Sequence, residues 1–245
     1  MNLGIEGRVC VVTGGTRGIG AATARMLAQE GARVLTVART GGDLALDVTV
    51  PDAGERVLDA CPDRPWALVN NAGMSQARGL DDVSDADWQE QWEVHVMAPM
   101  RLMRALAPAM AEAGGGRIVN VSSSAGRRPS RRLDAPYSVT KAAQLSLSRV
   151  FADAFAARGV LVNAVTPGAI EGELWTEEGG LADQIAARSG KTRDEVLESA
   201  RAGAPLGRMG TNDEVAAVIA FLCSERASNV TGAAWAVDGG IVPTI

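Results

Sequence analysis

One tyrosine, one histidine and three cysteines are all that 245 residues offer of those types, and aromatic residues make up only 4%. The cysteines, Cys10, Cys61 and Cys223, are odd in number and widely spaced. That excludes a disulfide framework or a cysteine metal site and points to reduced thiols, two of them in apolar runs. No apolar run reaches the roughly 18 residues a transmembrane helix needs. The segment Met1 to Gly7 has neither the apolar centre nor the cleavage site of a signal peptide, so a cytoplasmic location is expected. A net charge of −5 gives no reason to expect bulk affinity for nucleic acid or anionic membrane. What the chain does have is ordinary for a soluble globular protein: 47% apolar and 22% charged residues, and a length that suits one α/β domain or two small ones.

Short β-branched runs recur at Val9 to Thr13, Arg33 to Ala38, Trp66 to Asn70, Arg117 to Ser122 and Val160 to Thr166, with a further candidate at Val230 to Val237. They are almost continuously apolar, as strands covered on both faces of a parallel sheet are. Helical patterns separate them, at Gly18 to Glu30, Asp85 to Ala113, Ala135 to Arg158 and Thr211 to Ser224. This alternation predicts a doubly wound α/β sheet, simplest as a single domain over 1–245. After Arg39 the chain looks too short for a full crossover helix, so a loop is expected there. Residues 172–205, with helical patterns at Leu181 to Arg188 and Thr192 to Ala202, form an excursion that reads as a lid over a site.

Tyr137 is followed four residues later by Lys141 in a helix-compatible run. That spacing puts both on one helix face, where an ammonium would stabilise a phenolate and lower the tyrosine pKa. A tyrosine so placed can exchange a proton with a carbonyl or alcohol oxygen. Taken alone, the pair is equally a tyrosine at a helix start beside a solvated lysine. The other signal is the turn Thr13-Gly14-Gly15-Thr16-Arg17-Gly18-Ile19-Gly20 at the end of the first strand. There, backbone can approach a pyrophosphate and a helix N-terminus can face it.

Together these residues resemble the short-chain dehydrogenase/reductase family in its single-domain form. The same order of motifs continues in Asp47-Val48, Asn70-Asn71-Ala72-Gly73, Ser122-Ser123-Ser124-Ala125-Gly126, Tyr137 with Lys141, Asn163 to Gly168, and Asp238-Gly239-Gly240. The resemblance implies a Rossmann-like sheet with helices on both faces and a nicotinamide cofactor. Gly14, Thr16, Arg17, Gly18, Ile19 and Gly20 would cradle its phosphates, Asp47 and Val48 would lie by the adenine, and Asn71, Ala72 and Gly73 would form the next turn. Pro167, Gly168 and Ile170 would lie near the nicotinamide. Ser123 aligns with the catalytic serine, with Ser124 as the alternative. Tyr137 would be the proton donor or acceptor, and Lys141 would hold the ribose hydroxyls. No metal is required, because the cofactor carries the hydride. Where members that prefer NAD carry an acid, this chain has Ala38 and then Arg39; with Arg17, that favours a 2′-phosphate and hence NADP(H).

Three departures stand out. His95 takes the place of the family's fourth catalytic residue, an asparagine. It could order a water near Lys141 and titrate near neutral pH, or be a packed helix histidine. Gly172 replaces a threonine that bonds the nicotinamide carboxamide. Arg127, Arg128, Arg131 and Arg132 crowd the loop between the serine and the tyrosine, either to hold an anionic substrate or as solvated charge. The reaction expected is NADPH-dependent reduction of a small-molecule ketone, free or carrier-bound, similar to 3-oxoacyl-carrier-protein reductases. A secondary-alcohol dehydrogenase and a non-catalytic cofactor-binding regulator are the alternatives. A homotetramer or dimer, with no nucleic-acid or membrane partner, is expected.

Overall fold

A computed structural model describes residues 2–129 and 134–243. Its main sheet has seven strands in the order β3-β2-β1-β4-β5-β6-β9, and every neighbouring pair is parallel. The strands are β1 (Val9–Thr13), β2 (Arg33–Ala38), β3 (Leu44–Ala45), β4 (Pro65–Asn70), β5 (Gly116–Val121), β6 (Val160–Pro167) and β9 (Ala234–Val237). All residues of β1 and β5 are buried, because helices cover both faces.

The pleat divides the core in two. Val11, Leu68 and Ile118 point to one face, where Val57 of α2 (Ala53–Ala60) and Leu102, Leu106 and Met110 of α4 (Ala98–Glu112) cover them. Cys10, Val12, Val69 and Val119 point to the other, under Leu27 of α1 (Gly18–Gln29) and Ile219 and Leu222 of α9 (Asn212–Cys223). The strand order reverses between β1 and β4, and the crevice beyond their carboxyl ends is where open α/β sheets take ligands. Among the described residues no helix is long and apolar enough to cross a membrane.

The expected loop after β2 is in fact a short edge strand, β3, followed by the crossover helix α2. The helix escaped notice because its contact is made by small residues: a Cβ on Gly54 would lie 2.7 Å from the Arg101 carbonyl oxygen and 2.8 Å from the Ala105 Cβ. The helix is short and its buried face holds only one large apolar residue, Val57, beside Ala53 and Gly54. The long helix expected from Asp85 to Ala113 is interrupted. Between α3 (Asp85–Trp92) and α4 lies one turn of π-helix, Glu93–Met97. The last strand begins at Ala234, because the Val230 carbonyl and the Thr231 hydroxyl are engaged with Asn163 and the Val162 amide instead.

Helix α5 runs Ala135–Phe155. The excursion contains α6 (Glu173–Thr176), α7 (Leu181–Ser189) and α8 (Arg193–Ala202). It is flanked by the two-stranded pair of β7 (Ile170–Glu171) and β8 (Gly210–Thr211). Ala182, Val196, Leu197 and Met209 give it a small core of its own.

Candidate active site

β1 turns into α1 through Gly14 and Gly18, at φ 63° and 54°. Both values lie in the left-handed region that glycine adopts without steric cost. The two positions differ from Gly20. A Cβ on Gly18 would meet nothing nearer than 3.7 Å, whereas one on Gly20 would sit 2.1 Å from the Gly14 carbonyl oxygen. Gly18 leaves the approach to the turn open, and Gly20 lets the helix seat against it. Helix α1 begins with no side-chain cap and no acid in its first turn. It borders a cleft of ≈ 450 Å³ lined by Thr16, Arg17 and Gly18 on one wall and by Glu171, Glu173 and Asn212 on another. Uncapped N–H groups at a helix start, with glycine backbone beside them, fit a phosphate.

Asn71 braces this turn. Its side-chain amide donates to the carbonyls of Thr13 (2.9 Å) and Gly14 (3.1 Å), while the Thr13 hydroxyl accepts from the amides of Asn71 and Ala72 (both 3.0 Å). Beneath it, the Asn70 amide donates to Asn120 Oδ1 at 2.8 Å, so buried polar groups lock the ends of β4 and β5 together.

β5 ends at Val121, and the chain continues through Ser123 into a 3₁₀ turn. The Ser123 hydroxyl accepts from the Ala125 amide at 3.1 Å, and the turn it starts faces α5, whose first turn carries Tyr137. Gly126 makes that meeting possible: a Cβ there would fall 2.7 Å from the Lys141 carbonyl carbon. Lys141 lies over the Tyr137 ring, on the same helix face as expected. Its ammonium donates to the Val121 carbonyl (2.8 Å) and to Gln144 Oε1 (3.3 Å), and lies 5.7 Å from the centre of the Tyr137 ring. Burial brings its pKa down to about 7. The expected lowering of the tyrosine pKa is reversed: burial pushes the Tyr137 phenol up, against an opposing contribution from the Ser123 hydrogen bond.

His95 is fully buried on the π turn, edge-on to Tyr137 with ring centres 5.5 Å apart. Nδ1 is 2.9 Å from the Thr140 hydroxyl, and Nε2 accepts from the Met74 amide at 3.2 Å. Burial and the nearby Lys141 charge hold its pKa well below the ordinary value, so the expected titration near neutral pH does not occur.

The remaining expected residues are more dispersed. Arg39 is exposed just beyond β2, and its charge contributes to lowering the Asp47 carboxyl pKa, chiefly after the Thr49 amide hydrogen bond to Asp47. Arg17 lies 3.7 Å from Glu177 of the excursion, both side chains well exposed. The side chains of Val48 and Ile170 are in the core. Gly168 packs against Asp238, where a Cβ would come within 2.9 Å of backbone. Beside Gly172 stands Asn212, whose amide nitrogen is 3.0 Å from where a Cβ would be. Arg127 and Arg128 donate to the carbonyls of Ala234 (2.5 Å) and Ile241 (3.1 Å). Arg131 and Arg132 lie outside the described residues. Sequence reasoning missed Gln144, Thr140 and Asn212. Only Gln144 left a trace, three residues after Lys141 and so on the same helix face.

A family model described as enoyl-(acyl carrier protein) reductase matches residues 14–242. The 3-oxoacyl-[acyl-carrier-protein] reductase FabG of Vibrio cholerae is 33% identical, covering 98% of this chain and 99% of that protein. This chain belongs to the short-chain dehydrogenase/reductase family. A sorbitol dehydrogenase of Cereibacter sphaeroides is 32% identical over 96% of this chain and 98% of that protein. The structure of L-sorbose reductase from Gluconobacter frateurii, complexed with NADPH and L-sorbose, superposes with a TM-score of 0.90 at 33% identity, covering 100% of both chains. Like these short-chain dehydrogenases/reductases, the chain is an oxidoreductase acting on CH–OH and C=O groups.

Proposed function

We propose that this protein is a carbonyl reductase in which Tyr137 gives the proton to the substrate oxygen. The observation that carries the reading is the meeting of the Ser123 turn with the start of α5, which brings Tyr137 and Lys141 beside the crevice that holds the glycine turn, with the Lys141 ammonium 5.7 Å from the Tyr137 ring and Gly126 packed on the Lys141 backbone. The cofactor is NADP(H), as in the L-sorbose reductase complex. Gly14, Gly18 and the start of α1 are suited to its phosphates, and Arg39 and Arg17 to a 2′-phosphate. Bound, the nicotinamide supplies hydride for reduction and takes it up in oxidation.

The chain's own residues do the rest. Ser123 holds the substrate oxygen against the phenol. Tyr137, its pKa raised by burial, stays protonated at neutral pH, which is the form a proton donor needs. Lys141, near pKa 7, can exchange its proton at neutral pH. A dehydrogenase running mainly in the oxidative direction would need the phenolate instead.

The substrate we infer is a small ketone, not a carrier-bound thioester. Residues 172–205 act as a lid, already drawn down on the turn after β4: Gln184 Oε1 accepts from the Ala77 amide at 2.9 Å, and Arg188 pairs with Asp82 at 2.7 Å. Two of the four arginines proposed to hold an anionic carrier are occupied with backbone carbonyls. The protein works in the cytoplasm as a homo-oligomer, a reading supported by the exposed apolar residues Val139 and Val150 on α5 and Trp235 on β9.

NADPH consumption with a ketose, a neutral cyclic ketone and a short 3-oxoacyl thioester, each repeated with Tyr137→Phe, tests this reading. Turnover of a small ketone that the substitution abolishes is expected. Turnover of the thioester alone would move the substrate to the carrier-bound class, and activity that survives Tyr137→Phe would overturn the mechanism.

A further inference from the structure

We propose that His95 is a positioning residue that staples the turn at Met74 to helix α5 as a neutral imidazole of a single tautomer, and that it takes no part in proton transfer. The inference rests on the reading of Tyr137 as proton donor and deepens it.

The tautomer follows from its neighbours. The Met74 backbone amide, 3.2 Å from Nε2, can only donate, so Nε2 carries no proton. The ring proton is therefore on Nδ1, 2.9 Å from the Thr140 hydroxyl oxygen. That hydroxyl must accept it, which leaves its own proton for the Pro136 carbonyl at 2.8 Å. Every donor in the path Met74, His95, Thr140, Pro136 then faces an acceptor. A second proton on the ring would set Nε2–H against the Met74 N–H, in a fully buried position near the Lys141 ammonium. Lys141 and Tyr137 on α5 are the titratable groups facing the ring, and the Asn71 to Met74 turn contributes none.

Both ends of the staple matter to the chemistry. Thr140 lies between Tyr137 and Lys141 on α5, and Met74 follows the Asn71 to Gly73 turn. The ring packs edge-on against the Tyr137 phenol and touches the space above Gly73, where a Cβ would come within 3.1 Å of Nε2. The π turn at Glu93–Met97 carries the imidazole into this position. An asparagine at 95 could reproduce only the bond made by Nδ1, and a glutamine only the bond made by Nε2. Neither spans both.

The chain has a single histidine, so its imidazole gives one set of NMR signals. Nitrogen-15 shifts should show a bare Nε2 and a protonated Nδ1, unchanged from pH 5 to 8. A titration in that range, or the opposite tautomer, would overturn the proposal without any substrate being turned over. In kinetics, His95→Asn and His95→Gln should each lower kcat about tenfold with NADPH affinity within twofold. His95→Asn should speed amide exchange at Met74, while His95→Gln should not. Thr140→Val should add little to His95→Gln but should lower kcat further in His95→Asn, with Thr140→Ser as the control that keeps the hydroxyl. If His95→Asn, His95→Gln and Thr140→Val each leave kcat within twofold of the parent, the staple has no bearing on catalysis and the proposal fails. Tyr137→Phe, run alongside, reports separately on the mechanism it builds upon.

Discussion

The carbonyl oxygen of Gly14 lies 2.1 Å from the place where Gly20 would carry a Cβ. Two glycines of one turn thus serve unlike purposes. Gly20 is required for contact between helix and strand, while Gly18, whose Cβ would make only ordinary contacts with Glu173 and Asn212, is required for its positive φ.

Their alanine variants should part accordingly. Gly20→Ala cannot be accommodated without moving backbone and should cost about 1–3 kcal/mol or more. Gly18→Ala should cost roughly 1–2 kcal/mol of left-handed strain and leave a folded protein with weakened NADPH binding. Chemical denaturation, paired with cofactor titration by fluorescence, separates the two. A Gly18→Ala protein that binds NADPH as tightly as the parent, or that loses more stability than Gly20→Ala, would refute the distinction.

Removing the phenol or its partner should be felt in turnover. Tyr137→Phe should lower kcat by at least about 10²–10⁴, the usual yield of a positioned acid. Ser123→Ala should also lower kcat while leaving NADPH affinity unchanged. Steady-state kinetics with the ketone found active decides both.

Lys141 should leave its mark on stability against pH. Its pKa falls from 10.5 to about 7 on folding. Between those values the unfolded chain binds the proton more tightly, so stability should rise as pH goes from 7 toward 10.5 and fall to its floor below 7. Lys141→Met should flatten that slope and be relatively most stabilising near pH 6. Thermal melts across this range read it directly. A wild-type slope that persists in the variant would assign it to another group.

The proposed lid gives a further handle. Losing the hydrogen bond from the Ala77 amide in Gln184→Ala, or the Asp82 pair in Arg188→Ala, should raise KM several-fold and quicken amide exchange around Ala77, with thermal stability little changed. If KM and exchange at Ala77 both match the parent, the contacts do not hold the lid.

The parts of the site that were legible from residue order are those where chemistry needs rare residue types. A glycine-rich turn, one tyrosine and a lysine one helical turn later each carry a physical reason for their spacing. What escaped was whatever depends on backbone partners distant in sequence. Lys141 lies beside the Tyr137 ring as expected, but its ammonium also donates to the Val121 carbonyl, and no pattern of side chains announces that carbonyl. His95 was a candidate for titration until the Met74 amide fixed its tautomer. Helix α2 was missed for a different reason: it is only eight residues long, and its contact face holds small Ala53 and Gly54 beside a single large apolar residue, Val57.

Arg127 and Arg128 reach carbonyls that lie 107 and 113 residues further along the chain. The segment that presents Ser123, already held to α5 and β6, thus gains two further anchors once β9 and the residues that follow it have folded back. Cover for the sheet also comes from late in the chain: α9 closes one face over β1 and β4, and β9 completes the edge beside the serine segment. A nascent chain stalled before Ala234 would carry the glycine turn and the Ser123, Tyr137 and Lys141 group but lack the last strand and two of the serine segment's anchors, so that segment is the last part of the site to be fixed in place.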